Sequence, residues 1–197
     1  MSYVERIKKR RSIRKLGKEV SLSSDQIVSL VKDVVRESPT AMNAQTQRIV
    51  FLFEDQHDTF WDETLTILEP VTPEERWPMT QDKIKHLKAG FGTLLLFEDH
   101  EIIENQESTM PLFKAEFRPW SEQNHGITVT NIWNALAQEN IGASLHHYNP
   151  LVDEFVREEW NLPEKWKLRG QLAIGSIEEE VSEKTYVEDD TRFKVFK

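Results

Sequence analysis

The chain has 197 residues, with 25 basic and 34 acidic side chains and no cysteine. This length fits a single domain that can bury its own core. Without cysteine, the chain has no disulfides, thiolate-bound zinc, iron–sulfur cluster or thiol nucleophile. No apolar run approaches the ~18–20 residues that span a bilayer, and the N-terminus lacks the apolar core of a signal peptide. We therefore expect a cytoplasmic protein without membrane association.

The net charge of −9 is unevenly distributed. Residues 1–18 carry eight basic side chains against the single acidic Glu5, a local charge of about +7, so the rest of the chain sums to about −16. A basic segment on an acidic body indicates either a local anion site or an arm that contacts nucleic acid or an acidic partner.

Helical spacing appears first at 23–37, where apolar residues recur at i, i+3, i+4 and i+7. Ser23 and Gln26 predict a capping box at its start, and Pro39 ends it because the residue before proline disfavours helical geometry. The polar segment 39–47 has no core periodicity and is predicted to be a loop.

Later in the chain, short apolar runs predict buried strands, and several stretches have helical spacing. The predicted strands are 48–53, 93–97 and 168–177, and the predicted helices are 57–68, 80–89, 128–140 and 151–160. We expect Gly142 to end the third of these helices. Strands separated by long helical stretches indicate a mixed α and β domain, with one sheet covered by helices.

Residues 99–126 form a polar insertion of more than 20 residues. Insertions of this length are typical of a lid or an interface segment within a domain. We predict that residues 1–197 form one domain that contains this insertion. The insertion carries Phe113, Phe117 and Trp120. These aromatic side chains either form a wall beside a substrate or pack in the core.

Arg10-Arg11-Ser12-Ile13-Arg14 is the strongest local signal. In an extended chain, Arg10, Ser12 and Arg14 lie on one face, with Arg11 and Ile13 on the other. Guanidinium and hydroxyl donors converging on one ligand suit a phosphate. The alternative is a solvated basic arm.

Two other segments are candidates for binding. The loop at 38–48 carries uncharged donors and acceptors suited to the edge of a heterocycle, although such residues also favour ordinary turns. Segment 142–150 has small residues that would let backbone amides approach a ligand plane. Adjacent histidines in an extended chain point in opposite directions, so we predict no metal site at His146 and His147.

Taken in order, these segments resemble the nitroreductase family of FMN enzymes. Arg10-Arg11-Ser12-Ile13-Arg14 is similar to the family's opening R-R-S-x-R motif, and Ser38 to Gln45 is similar to its second motif. The similarity is closest to the subfamily of the yeast fatty-acid-repression nitroreductase and its bacterial relatives. The segments that carry this similarity are 97–99, 117–123, 142–150 and 166–168.

The resemblance implies an α+β fold, with a central, mainly antiparallel sheet flanked by helices, and an intertwined homodimer with FMN at the subunit interface. It also implies two-electron transfer from NADH or NADPH through the flavin to a nitroaromatic or quinone-like acceptor. Because hydride moves directly between stacked rings, no catalytic acid or base of the protein is expected. The alternatives are a flavin-binding sensor without turnover and a basic-arm module that binds nucleic acid or an acidic partner.

The resemblance also implies roles for particular residues. Arg14 is expected beside N1 and O2 of the flavin, and backbone amides at Leu145 and His146 are expected to face N5. The subfamily usually has glutamine where this chain has His146. The expected phosphate contacts are Arg10, Arg11 and Ser12, which also serve the pyrimidine edge, together with Arg192 and Lys194. Asn43 and Gln45 are expected at the flavin ring or the ribityl chain. Ser38 and Thr40 are expected to reach the cofactor across the dimer.

Overall fold

A five-stranded sheet lies at the centre of the molecule, with helices on both faces, in a computed structural model that describes residues 2–197. The strands are β1 (Leu16–Gly17), β2 (Gln47–Phe53), β3 (Gly92–Asp99), β4 (Gly142–His146) and β5 (Trp166–Ile177). The helices are α1 (Tyr3–Lys9), α2 (Ser24–Glu37), α3 (Glu54–Leu68), α4 (Trp77–Lys88), α5 (His100–Thr109), α6 (Lys114–Gln138), α7 (Asp153–Glu159) and α8 (Asp189–Arg192).

The strand ladders are antiparallel, which confirms the expected sheet. The strands run in the order β1-β5-β3-β2, and β4 also pairs with β5. Leu94 and Leu96 of β3 face the core beneath α2 and α6, whereas Leu95 and Phe97 face the core beneath α3, α4 and α7. Burial on both faces explains why β3 is a continuous apolar run rather than an alternating one.

The helix that begins at Ser24 has the predicted start. The Ser23 hydroxyl accepts a hydrogen bond from the Gln26 backbone N–H, and the Gln26 side chain accepts one from the Ser23 N–H. Ile27 and Val31 of its apolar stripe are fully buried. The capping box and the periodic stripe thus set both the start and the orientation of α2.

The predicted start of the long helix α6 is wrong. The helix predicted at 128–140 is the second half of α6, so most of the polar insertion is helical. Its first half shows no apolar periodicity because it buries polar side chains, among them Ser121 and Asn124. A lid or interface role for 99–126 remains a prediction.

No helix within residues 2–197 has the length and apolar character needed to cross a membrane.

Strand β4 is a second correction. The preceding helix ends at Gln138, and Gly142 begins a strand instead of ending a helix. Glycine, alanine and serine have low strand propensity, which concealed β4. Gly142 is small because space is limited: a Cβ at this position would lie 3.1 Å from the Cβ of Ile13. Close packing therefore brings the basic segment beside β4.

Candidate functional site

The basic N-terminal segment lines a cleft with a volume of about 400 Å³. The segment is held to β4 by a hydrogen bond of 2.9 Å from the Ile13 N–H to the Ala143 carbonyl, and the Ile13 side chain is buried. The lining residues are Arg10, Arg11, Ser12, Arg14, Lys15, Glu179, Glu180, Val181, Ser182 and Lys184. The structure thus brings the predicted anion-binding residues together. Arg11, expected on the opposite face, also lines the cleft.

Two of the arginines have fixed orientations. The Arg10 guanidinium lies 4.7 Å from the centre of the Trp133 ring on α6, and burial, together with the neighbouring Arg11, lowers the pKa of Arg10. Arg11 donates a hydrogen bond of 2.6 Å from Nη2 to the carbonyl of Ser182. Stacking and hydrogen bonding restrict both side chains before any ligand binds, which reduces the entropy cost of binding.

His146, at the end of β4, is buried with 8% of its surface exposed, whereas His147 is exposed. The two adjacent histidines therefore differ in burial. The His146 ring stacks on Tyr148, with centroids 5.8 Å apart, and meets the edge of Trp61. Burial, with the nearby cations Lys83, Arg14 and His147, lowers the pKa of His146 to about 3. Its imidazole is thus neutral at pH 7.

The surroundings of His146 contain unsatisfied polar atoms and excess positive charge. Within residues 2–197, neither Nε2 of His146 nor the buried Tyr148 hydroxyl has a hydrogen-bond partner. Burial raises the pKa of Tyr148 to about 12. Lys83 lies with Nζ 5.1 Å from the Tyr148 ring centre, and burial, together with Arg14, lowers the pKa of Lys83. Unsatisfied polar atoms beside cations fit a polar, electron-rich ligand.

The second predicted site, the loop at 38–48, runs into β2 at Gln47, and its part at 38–47 has a strained backbone. Met42, Asn43 and Gln45 have φ values of 53°, 53° and 50°, in the left-handed region that costs a residue with a side chain ~1–2 kcal/mol. The Asn43 and Gln45 side chains are exposed. Non-glycine residues persist in this conformation only where the surroundings enforce it, and they are concentrated at functional sites.

The hydroxyl groups of this loop are already engaged within the chain. Ser38 Oγ donates to the carbonyl of Val34 at 2.8 Å and accepts a hydrogen bond of 3.0 Å from Nδ2 of Asn131. Thr40 Oγ1 accepts a hydrogen bond of 3.1 Å from the Gln45 N–H. These hydroxyls stabilise the loop, and the polar side chains of Asn43 and Gln45 are exposed, as is that of Met42.

The two groups of predicted residues lie on different faces of α6. Asn131 contacts Ser38 of the loop, whereas Trp133 stacks on Arg10 of the cleft. Residues two apart on a helix do not face the same way. The loop and the cleft of one chain therefore do not converge on one ligand around α6.

The remaining predicted residues differ in their placement. Arg192 and Lys194 do not line the basic cleft, and Lys194 Nζ instead donates to the carbonyl of Asp190 at 2.9 Å. Phe113 and Phe117 both lie against Trp120, with centroid distances of 6.0 Å and 5.6 Å. Phe117 is buried in this cluster, whereas Phe113 is exposed. Residues 2–197 contain no group of three histidine or carboxylate side chains that could hold a metal ion.

Several residues at the site were missed by the sequence reasoning. They are Lys83, Trp133, Tyr148, Ser182 and Lys184. Tyr148 belongs to the segment 142–150 that was already considered, but no local pattern distinguishes the others. They reach the site from α4, α6 and the C-terminal tail, so only the tertiary fold identifies them.

The chain is similar to nitroreductases in both sequence and structure. The model of the nitroreductase family matches residues 7–176. Nitroreductase FRM2 of Saccharomyces cerevisiae is 26% identical over 188 residues, covering 94% of this chain and 93% of FRM2. Nitroreductase CinD from Lactococcus lactis, solved with 4-nitrophenol, has a TM-score of 0.91 and 43% identity, with both chains fully covered. CinD has also been solved with chloramphenicol.

A more distant structure has the same fold. The nitroreductase from Desulfitobacterium hafniense, solved with bound FMN, has a TM-score of 0.71 at 16% identity, again over the full length of both chains. The family match covers most of this chain, including the basic segment, the loop and β4. The chain therefore belongs to the nitroreductase family, a family of oxidoreductases.

Proposed function

We propose that this protein is an FMN-dependent oxidoreductase that passes two electrons from NADH or NADPH to nitroaromatic or quinone-like acceptors. The observation that carries the proposal is the juxtaposition of the basic cleft with the end of β4, where cations surround buried, unsatisfied polar atoms. Bound FMN would supply the hydride-accepting ring, while the protein binds, orients and tunes it.

The residues of the cleft fit the phosphate and the pyrimidine edge of FMN. Arg10, Arg11 and Ser12 provide forked and hydroxyl donors for the phosphate, and Lys184 adds a cation from the tail. Arg14 is proposed to lie beside N1 and O2, with the backbone at Leu145 and His146 near N5. The phosphate site thus forms from the basic segment and the tail of one chain, and Arg192 and Lys194 would join it only from the partner chain.

A homodimer would complete the site. Asn43 and Gln45 are exposed on the other face of α6 from Arg10, so they would meet FMN held by a second copy. Two surfaces favour such an assembly. The edge strand β2 has an apolar groove that includes Ile49, Phe51 and Trp166. The tail exposes the apolar side chains Phe193, Val195 and Phe196.

The acceptor is proposed to be a flat aromatic molecule. CinD, which is similar along its full length, has been solved with 4-nitrophenol and with chloramphenicol. Phe113, Phe117 and Trp120 form an aromatic cluster at the start of α6. We place this cluster on the substrate side, and Phe113 is its most exposed member. No side chain is assigned as an acid or base.

A spectroscopic titration tests the proposal. Purified protein should be yellow, lose its flavin absorbance on anaerobic addition of NADH or NADPH, and recover it on addition of 4-nitrophenol. Running both nicotinamides in parallel identifies the donor. A yellow protein that neither donor bleaches would instead be a flavin-binding sensor. A colourless protein that takes up no added FMN would contradict the proposal.

A further inference from the structure

We propose that Glu98 is a positioning residue that holds the loop 38–47 in its strained conformation through the hydroxyl groups of Thr46 and Ser121. Glu98 lies on β3, and its role in the reaction rests on the proposed binding of FMN by Asn43 and Gln45. It touches neither the basic cleft nor the exposed part of the loop, so it would act only through the residues it binds.

Glu98 is completely buried, with 0% of its surface exposed. Its Oε2 accepts hydrogen bonds from the hydroxyls of Thr46 and of Ser121, the latter at 2.5 Å. Nδ1 of His125 lies 3.5 Å from Oε1, which has no hydrogen-bond partner among residues 2–197. A carboxyl group buried this deeply is costly. Its presence therefore calls for a role that an apolar side chain would not fill.

The position of Glu98 in the sheet explains how it reaches both hydroxyls. It pairs with Gln47, the first residue of β2, and Thr46 directly precedes that strand. The Thr46 carbonyl also accepts a hydrogen bond of 2.8 Å from the Asp99 N–H. Because Ser121 belongs to α6, Glu98 connects the end of the loop to the helix that packs over it.

The same helix holds the loop at two further points. Ser121, Asn124 and Asn131 lie three and seven residues apart and so share one face of α6. Asn124 Oδ1 accepts a hydrogen bond of 3.2 Å from the Ala41 N–H, and Asn131 binds Ser38. The loop is thus attached to one helix face at its start, middle and end.

These attachments bracket the strained residues. Met42, Asn43 and Gln45 lie between the contacts at Ala41 and Thr46. A left-handed conformation at three residues with side chains needs external support, because each would relax in a free loop. The hydrogen bonds through Glu98 are the ones among these contacts that end on a completely buried carboxyl group. Their loss should release the end of the loop and disorder the side chains of Asn43 and Gln45.

Hydrogen–deuterium exchange of the full-length protein tests this inference without relying on activity. The amides of Ala41 and Gln45 are the reporters, because each donates to a side chain within the loop network. Thr46→Val and Ser121→Ala each remove one donor to Glu98, and Glu98→Gln replaces the carboxyl group with an amide. We expect exchange at both amides to accelerate about tenfold or more. Thr46→Ser keeps the hydroxyl and should restore the slow exchange.

Thr64→Val is the matched control. Thr64 is equally buried and donates a hydrogen bond of 2.7 Å to the carbonyl of Phe60, within α3. Faster loop exchange in the Thr46→Val and Ser121→Ala variants but not in Thr64→Val supports the positioning role. Unchanged loop exchange in these variants, or an equal acceleration in Thr64→Val, would overturn it.

The dissociation constant of FMN, measured on the same variants, separates the two proposals. If the loop binds FMN, affinity should fall in Thr46→Val and Ser121→Ala and return in Thr46→Ser. Faster exchange with unchanged FMN affinity would still support the positioning role of Glu98. It would instead overturn the proposed contact between the loop and the flavin.

Discussion

The guanidinium of Arg10 lies 4.7 Å from the centre of the Trp133 ring, so an aromatic residue of α6 orients the first arginine of the basic segment. Cation–π contacts of this kind contribute ~0.5–1 kcal/mol at partly exposed sites. The arginine is therefore held in place before an anion arrives, and the contact itself can be tested.

Replacing Trp133 should weaken FMN binding although Trp133 itself would not touch the cofactor. Trp133→Leu removes the aromatic face, and we expect the FMN dissociation constant to rise about two- to fivefold. Fluorescence titration of FMN measures the change. Trp160→Leu, which alters a tryptophan packed on Phe60, should leave the dissociation constant unchanged. Equal effects of both substitutions would mean that the loss is one of general stability.

Arg14 should tune the flavin as well as bind it. Arg14→Gln removes a positive charge from the proposed position beside N1 and O2, which disfavours negative charge on the reduced ring. We expect a lower reduction potential and weaker FMN retention, measured by spectroelectrochemistry and by the flavin content of purified protein. The control is Arg157→Gln, on α7. Full FMN content with an unchanged potential would refute the role of Arg14.

His146 should make the stability of the flavin-free protein depend on pH. Its pKa is about 3 in the folded protein and ~6.5 when unfolded. Below pH ~6.5, His146 is therefore protonated in the unfolded chain but not in the folded protein. The free energy of unfolding falls as a result when the pH drops towards 3. Between pH 7.5 and 4.5 this effect amounts to about 2–3 kcal/mol.

Urea unfolding of His146→Gln at both pH values measures this contribution. The glutamine variant should lose less stability on acidification than the unsubstituted protein, by about 2–3 kcal/mol. The control is Thr64→Val, which changes a buried residue of α3 without adding or removing a titratable group, and it should keep the pH dependence of the unsubstituted protein. If both substitutions gave the same pH dependence, burial of His146 would not be its cause.

The C-terminal tail should matter for assembly. Removing residues 190–197 deletes the exposed Phe193, Val195 and Phe196, which we expect to cover apolar surface of a partner chain. The truncated protein should sediment as a monomer and release FMN. Arg192→Gln combined with Lys194→Gln tests their phosphate role separately, by FMN affinity in a variant whose sedimentation matches that of the unsubstituted protein. A truncated protein that remains dimeric and yellow would exclude the tail from both roles.

Two members of the aromatic cluster at the start of α6 should have different roles: Phe113 should contact the substrate, and Phe117 should stabilise the core. Phe113→Ser should raise the KM for 4-nitrophenol with little change in kcat, because Phe113 is exposed. Phe117→Ala should instead lower the unfolding free energy by ~3–5 kcal/mol, as expected for a buried phenylalanine. Steady-state kinetics and urea unfolding distinguish the two. A KM unaffected by Phe113→Ser would remove the cluster from the substrate side.

Elements with their own local signals were predictable from sequence. Helix α2 has a capping box and a periodic stripe, and β3 is an uninterrupted apolar run, so both were found. Strand β4 was missed because it begins with Gly142, a residue untypical of strands, whose small size is required by the close approach of Ile13, far away in sequence. The start of α6 was missed because that half of the helix buries polar side chains to hold the loop.

In the candidate site, too, only the residues with a local sequence signal were predictable. The clustered arginines and the exposed amides Asn43 and Gln45 were visible as residue types suited to a ligand. Their supporting residues, such as Trp133 and Glu98, were not, because neither has a local pattern that points to a binding role. Their function depends on contacts between residues more than 20 positions apart, such as Arg10 with Trp133 and Glu98 with Thr46 and Ser121.

The two faces of α6 have a consequence for communication between subunits. In a homodimer, each α6 would orient Arg10 for the flavin of its own cleft through Trp133, and the loop for its partner's flavin through Asn131. A small tilt or rotation of the helix would then alter both pockets together. Filling one pocket should therefore change the affinity of the other, so that FMN uptake by the dimer is cooperative.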